Sequence, residues 1–176
     1  MVMKAFRSLL FVCAAGACAG GLRAQTESGG GWKQDMRAEL AAWQATPVAI
    51  DLAHFRDDLP FGVRVDLTLR PNAGLKFLVM PRRAPQPDSF GGMPAFQVPR
   101  DGLYRVSAGA ADWIDVVETA TGRDVPSLSF EEQAKSDLHK CVVFPLRSGV
   151  RYTLQISGAK AAAASVLLTP APERKN

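Results

Sequence analysis

The sequence predicts an all-β fold, a single antiparallel β-sandwich of jelly-roll-like form, with an amphipathic helix in front of it. Three observations carry this. Apolar and polar residues alternate strictly from Phe61 to Leu69, a two-residue period that gives a strand one buried and one solvated face. Further short apolar runs follow, separated by Gly, Pro and Asp turns about every ten residues, the spacing of a sandwich rather than of a parallel sheet with helical crossovers. A helical period is confined to residues 32–45.

In chain order, residues 1–24 come first, with Lys4 and Arg7, an apolar run from Leu9 through Ala17, and then small residues before Gln25. That order reads as a secretory signal, and the run is too short for a permanent membrane span. Two processing routes are open. Cleavage after Ala24 leaves a soluble periplasmic or secreted product. Lipid attachment at Cys18, behind Ala15-Gly16-Ala17, leaves an anchor at the outer membrane. Residues 25–31 (QTESGGG) have nothing to bury and read as a flexible tether. Trp32, Met36, Leu40 and Trp43 then recur at steps of four, four and three, which predicts an amphipathic helix over 32–45 ending before Pro47.

The sandwich is expected over 46–170. After the Phe61–Leu69 strand, Pro71-Asn72-Ala73-Gly74 supplies a turn, and Leu75–Met80 reads as its hairpin partner. Residues 81–94 hold four prolines and two glycines and read as a long loop. Ala95–Val98 and Leu103–Ala108 read as a hairpin, followed by a strand at Asp112–Glu118 that closes on Gly122. Residues 125–138 have no firm period and read as a loop or short helix. Strands are expected at Lys140–Leu146, Arg151–Ser157 and Ala163–Thr169, with residues 171–176 as a disordered tail.

Removing residues 1–24 takes three basic residues and no acidic ones, so the precursor charge of +4 becomes 18 basic against 17 acidic, or +1. Charges alternate in sign along the remaining 152 residues, whereas nucleic acid would require a basic stripe. No transmembrane span is expected in the mature chain. Cys13 and Cys18 lie in the signal, so Cys141 stands alone in an oxidising compartment and reads as a buried, inert thiol.

The order Ala95-Phe96-Gln97-Val98-Pro99, Gly102-Leu103-Tyr104-Arg105-Val106, Trp113-Ile114-Asp115-Val116-Val117 and Gly149-Val150-Arg151-Tyr152-Thr153-Leu154-Gln155-Ile156-Ser157-Gly158 resembles small exported bacterial β-sandwich domains of the pre-peptidase C-terminal type. The likeness spans roughly residues 75–169 and is a pattern of strands and turns. Arg151 is an extra residue in the last strand, and the 119–138 connection is longer than that family usually has. The resemblance implies an accessory or binding role, with no catalytic set.

Few residues invite chemistry. His54 and His139 are the only imidazoles, too few and too far apart for structural zinc. With one carboxylate they are the arithmetic minimum for an iron dioxygenase site, which keeps a small metal-dependent enzyme as the alternative. His139 and Cys141, two apart on a strand, form the one close nucleophile–base pair. Asp57–Asp58 and Glu131–Glu132 read as solvated loop carboxylates. Trp113 shares a strand face with Asp115 and, with Tyr104, offers an aromatic platform, while Val117 on that same face favours core packing instead. Arg82 and Arg83 sit where a loop contact with a ligand would be made. The expectation is an exported, non-catalytic binding or interaction module of the bacterial envelope that uses no cofactor. Its ligand would be a glycan, a peptide or an envelope protein. A purely structural envelope protein is the third reading.

Overall fold

A computed structural model describes residues 32–172. The signal segment, Cys18, the 25–31 tether and the last four residues of the tail lie outside the described residues.

The chain runs through α1 (Arg37–Gln44), β1 (Val48–Asp51), β2 (Val65–Thr68), β3 (Arg70–Pro71) and a 3-10 turn at Asn72–Gly74. It continues with β4 (Phe90–Gly92), β5 (Ala95–Gln97), β6 (Gly102–Ala108), β7 (Trp113–Glu118) and β8 (Arg123–Val125). β9 (Ser129–Glu132), β10 (Lys140–Leu146), β11 (Arg151–Ala159) and β12 (Ala163–Pro170) complete it. The first sheet has the order β1-β2-β12-β6-β10-β9 and the second β3-β4-β11-β7-β8, with β5 also paired to β11. The described residues form an all-β sandwich with one short α-helix.

Alternation builds the core. On β6, Tyr104, Val106 and Ala108 face inward, and across the gap Val116 on β7 and Tyr152, Leu154 and Ile156 on β11 meet them. Phe96 and Phe144 are equally buried. Each large side chain removed from water in this way contributes roughly 1.5–3 kcal/mol, so the inner faces supply most of the driving force. Every ladder between named strands is antiparallel except β1–β2, which is parallel (Val48 opposite Val65).

The helix is shorter than its period suggests. Trp32 precedes α1, and Met36 stands at the N-cap without a side-chain cap. Even so, the apolar stripe does what its spacing implies. Met36 and Trp43, with Leu40 and Trp32 beside them, pack over Leu138, Cys141 and Leu167 to form a second small core on the outer face of the first sheet. Beneath α1 lies an ion pair between Arg105 Nη1 and Glu39 Oε1 at 2.5 Å, with side chains only 1% and 3% exposed. Arg105 also donates to the Asp35 carbonyl (2.9 Å) and to Gln34 Oε1 (3.1 Å), and Thr169 Oγ1 donates to Glu39 (3.2 Å).

Several local expectations are corrected. The β2 strand begins at Val65, not Phe61, because Gly62 takes a positive φ of 75° and turns the chain, donating its N–H to Leu168 O. Phe61 instead packs edge-on against Tyr104. Leu75–Met80 is not a hairpin partner of β2, whose two flanks are taken by β1 and β12. It crosses the outer face of the second sheet, held by the Gln155 side chain. Gln155 Oε1 accepts from the Leu78 and Val79 amides (2.8 and 3.2 Å), and its Nε2 donates to Val79 O (3.0 Å).

The 81–94 segment is not all loop. Its prolines fall outside Phe90–Gly92, which enters the sheet as β4 between β3 and β11. β5 and β6 form no hairpin either, since they lie in different sheets. β8 and β9 occupy stretches that carry no clear period, and Ala171, assigned to the tail, donates its N–H to Leu103 O.

Candidate functional site

The cleft forms where the sandwich is left open along one side. β8 pairs only with Val116–Glu118, so among the described residues the Trp113–Asp115 half of β7 has no strand on that flank. After Val125 the chain leaves for the first sheet and becomes β9, which lies along β10 with Phe130 opposite Val142. Phe130 therefore sits on the inward-facing side of an edge strand, and among the described residues no strand of the other sheet covers it. It remains 66% exposed.

Between these two edges is a cleft of about 220 Å³. Its apolar lining comes from Ile114, Val142 and Phe144, with Trp113 and Phe130 as aromatic walls. The polar lining is Arg82, Asp115, Asp124, Glu132, Lys140 and Ser127. The volume is smaller than the roughly 300–1,000 Å³ typical of clefts that enclose a whole small-molecule ligand, so it suits one ring or one side chain.

The charged groups are arranged in pairs. Arg82 Nη2 meets Asp124 Oδ2 at 2.5 Å. Lys140 Nζ, its side chain 9% exposed, meets Glu132 Oε1 at 2.9 Å. It also donates to the Asp112 carbonyl (3.1 Å) and lies 6.0 Å from the centre of the Trp113 ring, within cation–π range. Asp115 makes no ion pair at contact distance, although the Arg82 backbone N–H and the Arg82 charge both act on it; its Oδ2 accepts the indole N–H of Trp113 at 2.9 Å. Burial pushes the Asp115 carboxyl up from its ordinary value and the nearby Asp124 adds to the rise, against the Trp113 hydrogen bond and the charge and backbone N–H of Arg82. Burial likewise raises Asp112, opposed by Lys140 and His139.

Three of the residues singled out in the sequence thus converge, because Arg82 arrives from the 75–83 crossing while Trp113 and Asp115 come from β7. Tyr104 does not join them. It is 2% exposed in the core, and its hydroxyl donates to the Arg100 carbonyl at 2.7 Å, a tie from strand to preceding turn that fixes the corner rather than meeting a ligand. Tyr152 is used in the same way, its hydroxyl accepting from Arg147 N at 2.9 Å. Arg83 is exposed and does not line the cleft.

No family model, curated protein or solved structure matches this chain. The chemistry of the cleft therefore rests on its own residues. Phe130, Lys140 and Asp124 were not singled out in the sequence, and Glu132 was read there only as a solvated loop carboxylate. A signal for Phe130 was present, since Leu128 and Phe130 alternate with Ser127, Ser129 and Glu131. Glu131 and Glu132 are not a loop pair but point to opposite sides of β9. Glu131 accepts from Lys33 N and Gln34 Nε2, whereas Glu132 meets Lys140. Asp58 is likewise tied down, accepting from Gln97 Nε2 (2.8 Å) and pairing with Arg151 (2.9 Å).

The histidines are placed apart from this chemistry. His54 Nδ1 lies 2.8 Å from Asp51 Oδ2 on an exposed turn, and His139 leads into β10, its backbone N–H donating to Ala108 O. Among the described residues no three His, Cys, Asp or Glu side chains group as a metal site would require. Cys141 lies under α1 at 2% exposure.

Burial pushes the Cys141 thiol up from its usual 9 to about 11, which leaves it protonated and unreactive at neutral pH. The folded chain then holds this proton more tightly than the unfolded chain. That contribution is complete below pH 9 and is lost as pH rises from 9 to 11. Over that window the wild type is expected to lose about 2–3 kcal/mol more stability than Cys141→Ala in urea unfolding. Parallel pH profiles for the two proteins would refute the assignment.

Proposed function

We propose that this protein is an exported, non-catalytic binding module of the bacterial envelope, which captures one projecting group of a larger ligand in the Trp113 cleft. One observation carries the reading. Arg82, Trp113 and Asp115, from two separate segments, line the same concave edge as an exposed aromatic, Phe130. An apolar floor with a few convergent polar groups is the usual form of a binding site. The likeness to pre-peptidase C-terminal-type domains supports an accessory role, and the signal-like residues 1–24 support a periplasmic or secreted location. The lipid-anchored form through Cys18 remains the alternative. Among the described residues no helix is long and apolar enough to cross a membrane.

The test is capture of envelope peptides and glycans by the purified protein, repeated with Phe130→Ala and Trp113→Phe. Both variants are expected to weaken capture about tenfold, the scale of losing one good aromatic contact. Phe130→Ala should leave the unfolding midpoint nearly unchanged because its ring is exposed. Capture that survives both substitutions intact would place the ligand elsewhere.

A further inference from the structure

Resting on that reading of the cleft, we propose that the captured group is the lysine side chain of an extended peptide laid along the open flank of β7. Backbone, charge and shape each contribute. Among the described residues the Trp113–Asp115 half of β7 has no strand on the β8 side, so its main chain offers an edge there to which a peptide can add as a further strand. A sugar can bond single groups of such an edge but cannot continue its ladder.

Charge selects the side chain. Three acids and two bases line the cleft, and each base is already matched, Arg82 with Asp124 and Lys140 with Glu132. Asp115 makes no ion pair of its own: it takes the Arg82 backbone N–H and feels the charge of a guanidinium already bonded to Asp124, in a half-enclosed setting where a further cation is worth more than in open water. Lys140 does not repel the guest strongly, being held between Glu132, the Asp112 carbonyl and the Trp113 ring.

Shape and donor geometry favour lysine over arginine. The apolar floor and the Trp113 and Phe130 rings suit a four-carbon stem, and aromatic faces attract an ammonium. Asp115 already accepts the Trp113 indole N–H at Oδ2. A carboxylate so engaged is poorly arranged for the two parallel bonds of a guanidinium, yet it still takes a single point donor.

The Trp113 indole N–H resonance is a direct reporter, since that proton is bonded to Asp115. The purified protein is titrated with a blocked five-residue β-forming peptide carrying a central lysine, with the same peptide carrying norleucine, and with methyl glucosaminide. The lysine peptide should shift the resonance and saturate, binding about tenfold more tightly than the norleucine peptide. Asp115→Asn should erase that preference while keeping the indole bond, since the amide oxygen still accepts. Equal binding of both peptides would overturn the charge argument and leave the cleft reading standing. Tighter binding of the glucosaminide would replace the peptide by an amino sugar. Silence from all three probes, alongside Phe130-dependent capture of another ligand, would sink this proposal alone; silence with no such capture would sink both.

Discussion

Replacing Glu39 by alanine is expected to destabilise the protein by about 3–5 kcal/mol, because it leaves the Arg105 guanidinium buried without its counter-charge. Arg105 is 1% exposed, so water cannot take over the role of the lost carboxylate. Its bonds to the Asp35 carbonyl and Gln34 Oε1 satisfy donors but bring no full negative charge. The paired replacement Glu39→Leu with Arg105→Met should recover most of the loss, since two apolar side chains of similar volume escape the desolvation cost altogether. Urea unfolding of Glu39→Leu, Arg105→Met and their double variant, beside Glu39→Ala, measures this as a cycle. A Glu39→Ala loss below about 1 kcal/mol, the scale of an exposed pair, would show that water reaches the site.

Gly91→Ala should cost about 3 kcal/mol, the upper end for overpacking a well-filled site. A Cβ placed on Gly91 would lie 2.4 Å from Asn72 Oδ1 and 2.5 Å from the Ile156 carbonyl oxygen. The second neighbour is the backbone of β11 and cannot turn aside. Gly74→Ala is the control, with nothing within 4 Å of its added carbon. Comparable thermal stability in Gly91→Ala and wild type would mean that β4 sits further from β11 than described.

This close approach also explains what was hidden in the sequence. Residues 81–94 look like loop because their prolines and glycines are breakers in a strand interior, yet Gly91 is what lets β4 fit against the backbone of β11, and Gly92 leaves room for the Leu52 side chain. Strands with strong alternation, such as β6, β7 and β11, were legible because one face had to be apolar, and β10 was legible as a continuous apolar run buried on both faces. β1, β8 and β9 are edge or near-edge strands of three or four residues, too short to establish a period. Leu75–Met80 has strand composition, but its apolar side chains did not reveal that the partner would be the Gln155 amide rather than another strand.

The candidate site was half legible for a related reason. Trp113 and Asp115 are two apart on one strand, so their shared face follows from the pleat. Phe130 and Lys140 reach them only through sheet order, which local pattern does not encode. Tyr104 shows the converse, an aromatic with a polar tip whose hydroxyl is consumed by the turn below it.

The strand order has a consequence for the timing of folding. β12 lies between β2 and β6, and β11 between β4 and β7, so the last two strands join the early elements to the rest of each sheet. A growing chain released up to β9 has its flanking strands but not the ones that unite them. Neither sheet can zip up progressively from the amino terminus, and assembly waits for nearly the whole sequence, as expected of topologies dominated by distant pairings. Until then the chain stays open, the state in which it is threaded most easily through a narrow pore.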